Sequence, residues 1–311
     1  MTVNASVLVG SVRLPAPVMT ASGTAGHGAE LAPYMPLSEL GAVVVKSLAA
    51  YEWAGNPAPR VHPAGHGMIN AVGLQGPGVE HWLRHDLPSL EATGARVVAS
   101  IWGRSVDDYR AAAEALAGAT RGVVALEVNL SCPNLEGRKG IFAHDPDLSA
   151  AVMEATSVAG VPRWAKLSPN TDRVVDVARA VQQAGAEAVT LVNTLLGLVL
   201  DPDTGRPVLG AGGGGYSGSP LHAVAVRTVF DVHAALPELP IIGAGGVATA
   251  WDAAELLLAG ASAVQVGTAT FADPAAPLKV QRALLRWCGS RGIDPSTLTG
   301  LAHRGGLPPS R

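Results

Sequence analysis

Eight short runs of β-branched and small apolar residues, each followed by an Ala-rich helical stretch, constrain this chain more than any other feature. The runs fall at 17–21, 42–46, 96–101, 123–129, 163–167, 188–192, 240–243 and 263–266. Segments 106–117, 146–159, 172–184, 221–235 and 250–258 between them read as helices. A strand that returns parallel to its predecessor needs a crossover, usually helical, so the alternation predicts a parallel sheet. Ala184-Gly185-Ala186 and Ala259-Gly260-Ala261 mark helix ends, where glycine takes the left-handed cap conformation freely. Eight regular units in 311 residues predict an α/β fold, one closed (β/α)8 TIM barrel over 1–311, because an open doubly wound sheet seldom repeats so often. Val7-Leu8-Val9 and Val12-Arg13-Leu14 flank Gly10-Ser11 and predict a β-hairpin plugging the barrel's N-terminal end. Two connections, 49–91 and 194–220, are far longer than a barrel needs, and loops of that size usually carry function. Within the second, residues 210–215 read as a lid segment or a solvated linker.

Composition narrows the function. Hydrophobic residues make up 48% and charged residues 15%, which excludes intrinsic disorder as the main state. A formal net charge of −3 with no basic block argues against a nucleic-acid partner. Mean hydropathy is +0.27, but the longest uncharged apolar stretches, 188–200 and 256–272, hold Asn, Gln, Thr or Gly and are too short to cross a bilayer. No basic segment leads into an apolar one at the N-terminus, so no secretory signal is expected. Two cysteines, Cys132 and Cys288, make neither a disulfide framework nor a cysteine zinc site, and a reducing cytoplasm is expected. His62 and His66 are separated by Pro63 and Gly65, which break the helix that would align them, so no metal is expected.

In such a barrel the chemistry collects at the C-terminal strand ends. Those ends carry Ser22, Lys46, Asn129 with Ser131 and Cys132, Lys166, Asn193-Thr194, Gly245-Gly246 and Gly267-Thr268. Two lysines over neutral amides and hydroxyls suit a bound anion, or an electron sink that gains negative charge; singly, each would read as a surface strand terminus. The glycines of the seventh and eighth units let backbone N–H groups close on a phosphate, although one such pair alone is no more than a tight turn. With no Walker or Rossmann fingerprint, the pair favours flavin mononucleotide (FMN). A free cysteine is usually a small buried hydrophobe, but Cys132 sits on a polar loop over the expected site, where a thiol can act as base or nucleophile. Cys288 lies in a helical segment and reads as structural.

Taken together, the motifs resemble the class 1 dihydroorotate dehydrogenases, and most of all their 1B branch. The resemblance runs from about Val7 to Pro274. It rests on Ala21-Ser22-Gly23-Thr24, Lys46-Ser47, Asn56-Pro57 with Pro59-Arg60, and Met68-Ile69-Asn70-Ala71-Val72-Gly73-Leu74-Gln75. Further along it rests on Asn129-Leu130-Ser131-Cys132-Pro133-Asn134, Lys166-Leu167-Ser168-Pro169-Asn170, Val192-Asn193-Thr194, Tyr216-Ser217-Gly218 and the two glycine motifs. The resemblance implies FMN-dependent oxidation of dihydroorotate to orotate in pyrimidine synthesis, with Cys132 removing a proton from C5 while C6 delivers a hydride to flavin N5. It places Ser22, Lys46, Ser47, Asn129, Lys166, Val192, Gly218, Gly245, Gly246, Gly267 and Thr268 against FMN. It places Lys46, Asn70, Ala71, Val72, Gly73, Leu74, Asn129, Asn193 and Thr194 against the substrate. Ser100 stands where the family usually ends its third strand with Asn, a flavin contact, and a serine reaches less far. The 1B branch also implies a homodimer joined by a second subunit carrying FAD and a [2Fe–2S] cluster, which passes electrons to NAD; this chain has no cysteines to spare for a cluster. The rival readings are a 1A-like fumarate-reducing homodimer, a related dihydropyrimidine oxidoreductase and an RNA dihydrouridine-synthase-type flavoenzyme. The last needs a basic face that the net charge does not supply.

Overall fold

A computed structural model describes residues 3–118, 122–131, 133–134 and 140–307. Eight strands, Val18–Thr20, Val43–Val44, Val97–Ile101, Val123–Asn129, Arg163–Lys166, Ala188–Leu191, Ile241–Ala244 and Ala263–Val266, form one parallel sheet. Each falls in or within one residue of an expected run. The seam between the first and second strands is closed by Gly41 N to Val18 O at 2.8 Å and Thr20 N to Ala42 O at 3.3 Å. There the Thr20 hydroxyl stands in for the ladder, donating to Val44 O at 3.3 Å and accepting from Val44 N at 2.9 Å. A Cβ at Gly41 would lie 2.3 Å from Ala16 O, so the seam admits only glycine. The sheet thus closes into the expected (β/α)8 barrel.

Helices Val106–Leu116, Pro146–Ala155, Val174–Gln183, His222–Ala235, Ala250–Ala259 and Ala276–Arg291 surround it. Their starts are written locally: Ser105 caps the first through Asp108 N, Asp145 the second, and Thr249 with Asp252 forms a reciprocal capping box. The helix expected over 146–159 ends its α-helical part at Ala155 and tightens into a 3-10 turn, Thr156–Ala159. There the Thr156 hydroxyl bonds Met153 O at 2.9 Å, a local bond that competes with the helical ladder. Gly185 and Gly260 both adopt positive φ at the expected helix ends.

Alternation along the strands builds the interior in layers. Met19, Val44, Val98, Ala125, Trp164, Ala188, Ile242 and Ala263 form an apolar layer with Val7, Val9, Val12 and Leu14. The last four come from a hairpin, Val7–Val9 with Val12–Leu14, which plugs the barrel from its N-terminal end. Its turn is tied to the barrel by Ser11 N and Oγ, both bonded to Glu187 Oε2 at 2.8 and 2.6 Å. Two residues further along the same strands stand Ala21, Lys46, Ser100, Glu127, Lys166, Thr190, Ala244 and Gln265. One step along the barrel axis therefore exchanges an apolar layer for a largely polar one.

The two long connections meet. Val61–Ala64, Gly67–Asn70, Leu195–Gly197 and Gly214–Gly218 form a four-stranded antiparallel sheet, in which Asn70 pairs with Gly215 and Leu195 with Tyr216. Gly214 and Gly215, read from sequence as lid or linker, are therefore ordered strand. A Cβ at Gly214 would fall 2.4 Å from Asn70 O, so the close approach of the two connections requires glycine.

Candidate active site

A cavity of about 560 Å³ opens between the polar layer and this antiparallel sheet, within the usual range for small-ligand sites. Among the described residues, its wall includes Ser22, Lys46, Ser47, Asn129, Lys166, Val192, Gly218, Gly245, Gly246, Gly267 and Thr268. Asn70, Ala71, Val72, Gly73, Leu74, Asn193 and Thr194 line it as well. Lys46 and Lys166 are the charged residues of that wall, and no described carboxylate lines it.

A hydrogen-bonded chain fixes the floor. Ser22 Oγ lies 3.1 Å from Ser47 Oγ, which lies 2.9 Å from Ser100 Oγ and accepts from Asn129 Nδ2 at 3.2 Å. Asn129 Oδ1 accepts from Asn193 Nδ2 at 3.4 Å and from Ser131 N at 3.2 Å. Tyr109, fully buried, donates its hydroxyl to Asn129 O at 2.6 Å and clamps the strand end. Ser100 is fully buried one layer behind the wall and meets the cavity through Ser47. Cys132 lies outside the described residues.

The 70–74 segment is held by side chains whose role the sequence left open. Asn56 Nδ2 donates to Ala71 O at 3.1 Å, Trp53 Nε1 to Gly73 O at 2.9 Å, and Asn70 Nδ2 to Gly215 O at 3.2 Å. Arg60 braces the segment's end by donating to Asn56 O, Ala54 O and the side-chain oxygen of Gln75, Oε1. Asn170 does the same for the other connection, donating to Thr194 O and accepting from Leu196 N, both at 2.9 Å.

On the opposite wall Gly245 and Gly246 turn with φ of 132° and 68°. His222, at the start of helix His222–Ala235, bonds Gly245 O through Nδ1 at 2.9 Å and Glu255 Oε2 through Nε2 at 3.2 Å. Thr268 Oγ1 donates to Ser217 Oγ at 2.9 Å, joining the eighth unit to the antiparallel sheet. This bracing by His222 was not legible in sequence, because its partners lie 23 and 33 residues away.

Cys288 is fully buried in helix Ala276–Arg291, and burial pushes its thiol up to about 11. Native protein at pH 8 should therefore leave Cys288 unmodified by iodoacetamide, and peptide mapping should find it alkylated only after denaturation. Its modification in folded protein would contradict the structural role. Among the described residues no group of three His, Cys, Asp or Glu could hold a metal, and no helix is long and apolar enough to cross a membrane.

A barrel whose C-terminal mouth combines two lysines, a row of amides and two glycine turns has the form of an enzyme site for a small polar or anionic ligand. Residues 5–287 match the family model described as dihydroorotate dehydrogenase. The chain is 46% identical over 308 residues to dihydroorotate dehydrogenase B (NAD(+)), catalytic subunit, of Desulforudis audaxviator, covering 98% of this chain and 100% of that one. The subunits of the same description from Trichlorobacter lovleyi and Bacillus pumilus are 42% and 46% identical, covering 95% and 83% of this chain and 97% and 83% of theirs. This chain belongs to the dihydroorotate dehydrogenase family and is an oxidoreductase.

Proposed function

We propose that the chain is the FMN-containing catalytic subunit of a class 1B dihydroorotate dehydrogenase, oxidising dihydroorotate to orotate in pyrimidine synthesis in the cytoplasm. The observation that carries this reading is the cavity wall: two lysines with no described carboxylate, facing glycine turns whose Cβ positions are already filled by neighbours. At Gly245 a Cβ would meet Ala225 Cβ at 2.7 Å, and at Gly246 it would meet His222 Cβ at 2.7 Å. Turns packed this closely leave their backbone N–H groups as the donors a phosphate needs, beside a helix N-terminus. The residues present therefore fit FMN, with Ser22, Ser47, Asn129, Lys166, Val192, Gly218, Gly245, Gly246, Gly267 and Thr268 holding it. When bound, FMN supplies the acceptor for the hydride that leaves C6 of the substrate.

The chain's own residues do the remainder. Lys46, Asn70, Asn129, Asn193 and Thr194, with the 71–74 backbone, match the donor and acceptor edges of a pyrimidine ring and its carboxylate. The amides cannot rotate freely, because Asn129 is held by Ser47 and Asn193, and Asn70 by Gly215. Orientation is thus fixed before the substrate arrives. Lys166 offers a cation where negative charge grows on reduction. Cys132, following the clamped Asn129 strand end, removes the C5 proton, and a thiol is acidic enough for a modest shift to supply thiolate near neutral pH. Relatives described as catalytic subunits of an NAD(+) enzyme support a partner subunit. We read this chain as forming a homodimer and the partner as carrying FAD and a [2Fe–2S] cluster.

Purified chain should be yellow with FMN, and dihydroorotate should bleach it anaerobically while added NAD(+) stays oxidised. Absorbance at the flavin and NADH bands checks both. A colourless chain that takes up no flavin would overturn the cofactor assignment, and rapid NADH formation by the isolated chain would overturn the need for a partner.

A further inference from the structure

We infer that Glu127 is a positioning residue that sets how much positive charge Lys166 presents to the flavin. The inference rests on the FMN reading above. Glu127 stands on the fourth barrel strand, is fully buried and does not line the cavity. Its Oε1 accepts from Lys166 Nζ at 3.4 Å, and its Oε2 accepts from Gln265 Nε2 at 2.7 Å and Thr190 Oγ1 at 3.0 Å. The Gln265 carbonyl accepts a further bond from Lys166 Nζ at 3.4 Å. Side chains from three further strands thus converge on one carboxylate.

A buried ion pair is weak evidence for stability, since removing two ions from water costs several kcal/mol each. This pair, however, has a direction. Lys166 lines the cavity wall and Glu127 stands behind it, so the couple points its cationic end at the ligand while its net charge stays zero. Of the described groups bonded to Lys166 Nζ or to its carboxylate partner, from the fourth, sixth and eighth strands, Glu127 alone is charged; Thr190 and Gln265 are neutral. The other cation of the wall among the described residues is Lys46, just past the second strand. Glu127 therefore tunes the potential felt by the ligand without touching it. Exchanging it for glutamine raises the charge behind the ligand from zero to +1 and changes no wall residue. A reduced flavin bearing negative charge gains from that change and an oxidised, neutral one does not.

The test is the midpoint potential of the bound flavin, measured by dye equilibration in wild type, Glu127→Gln and Glu127→Asp. In Glu127→Gln the ratio of reduced to oxidised flavin affinity should rise about tenfold, a rise of about 30 mV for a two-electron couple. Glu127→Asp, its carboxylate drawn back by one methylene, should move the same way by less. An unchanged or lowered potential in flavin-loaded variants overturns the inference, as does loss of flavin from both, which would make the carboxylate purely structural. If only Glu127→Gln fails to hold flavin, the potential of Glu127→Asp decides by the same criterion. A wild-type chain that binds no flavin would overturn the FMN reading instead.

Discussion

Cys132→Ala should keep its bound FMN and its orotate affinity, yet its flavin should be reduced by dihydroorotate about 10² to 10⁴ times more slowly than in wild type. That range is the usual cost of removing a general base that acts in the transition state and contributes little to ground-state binding. The preceding strand end is held by Tyr109 on Asn129 O, and Ser131 N is bonded to Asn129 Oδ1. Cys288, the other thiol, shows the structural alternative: it is sealed in a helix and pushed up to about 11, where it can serve no proton transfer near neutral pH. Cys132→Ser should recover part of the rate only at high pH, because a serine hydroxyl is too weak an acid to ionise near neutrality. Anaerobic stopped-flow reduction of the flavin decides the matter. Near-normal reduction by Cys132→Ala would remove the residue from the base role, and loss of flavin together with folding would assign it to the core.

The barrel was legible because its information is local. A strand of four residues with a helix after it can be read within a single window, and the caps at Ser105, Asp145 and Thr249 lie within three residues of what they cap. The cavity's polar residues were legible for the same reason, since Lys46, Asn129 and Lys166 sit at strand ends that periodicity marks. What escaped was non-local. No pattern within either long connection announces that Asn70 and Gly215, 145 residues apart, pair in one sheet, so residues 214–215 read as lid or linker. Glu127 escaped differently: it sits inside the apolar run Val-Val-Ala-Leu-Glu-Val-Asn, two residues before the strand-end asparagine that drew notice. A carboxylate in such a run is itself a signal, because a charge buried on a barrel strand must find a partner inside, and the lysine two positions above Trp164 was the candidate.

Gly246→Ala should lower FMN affinity about 10²-fold while leaving riboflavin affinity nearly unchanged. The substitution combines two costs. At φ +68° an alanine meets the left-handed penalty of roughly 1–2 kcal/mol. Its Cβ would also lie 2.7 Å from His222 Cβ and 3.0 Å from Gly218 O. Neither neighbour yields easily, since His222 is fixed between Gly245 O and Glu255, and Gly218 pairs with Gly67 in the antiparallel sheet. The turn must therefore move, and with it the N–H groups proposed to hold the phosphate. A hydrogen bond to a charged group contributes about 1.5–3 kcal/mol, so losing one or two accounts for the expected factor at about 1.4 kcal/mol per decade. Riboflavin separates the two roles of the loop, because it shares the isoalloxazine ring and lacks the phosphate. Fluorescence titration of the apoprotein with each flavin reads the difference directly. Equal losses for both would show that the turn supports the barrel rather than the phosphate, and unchanged FMN affinity would place the phosphate elsewhere on the wall.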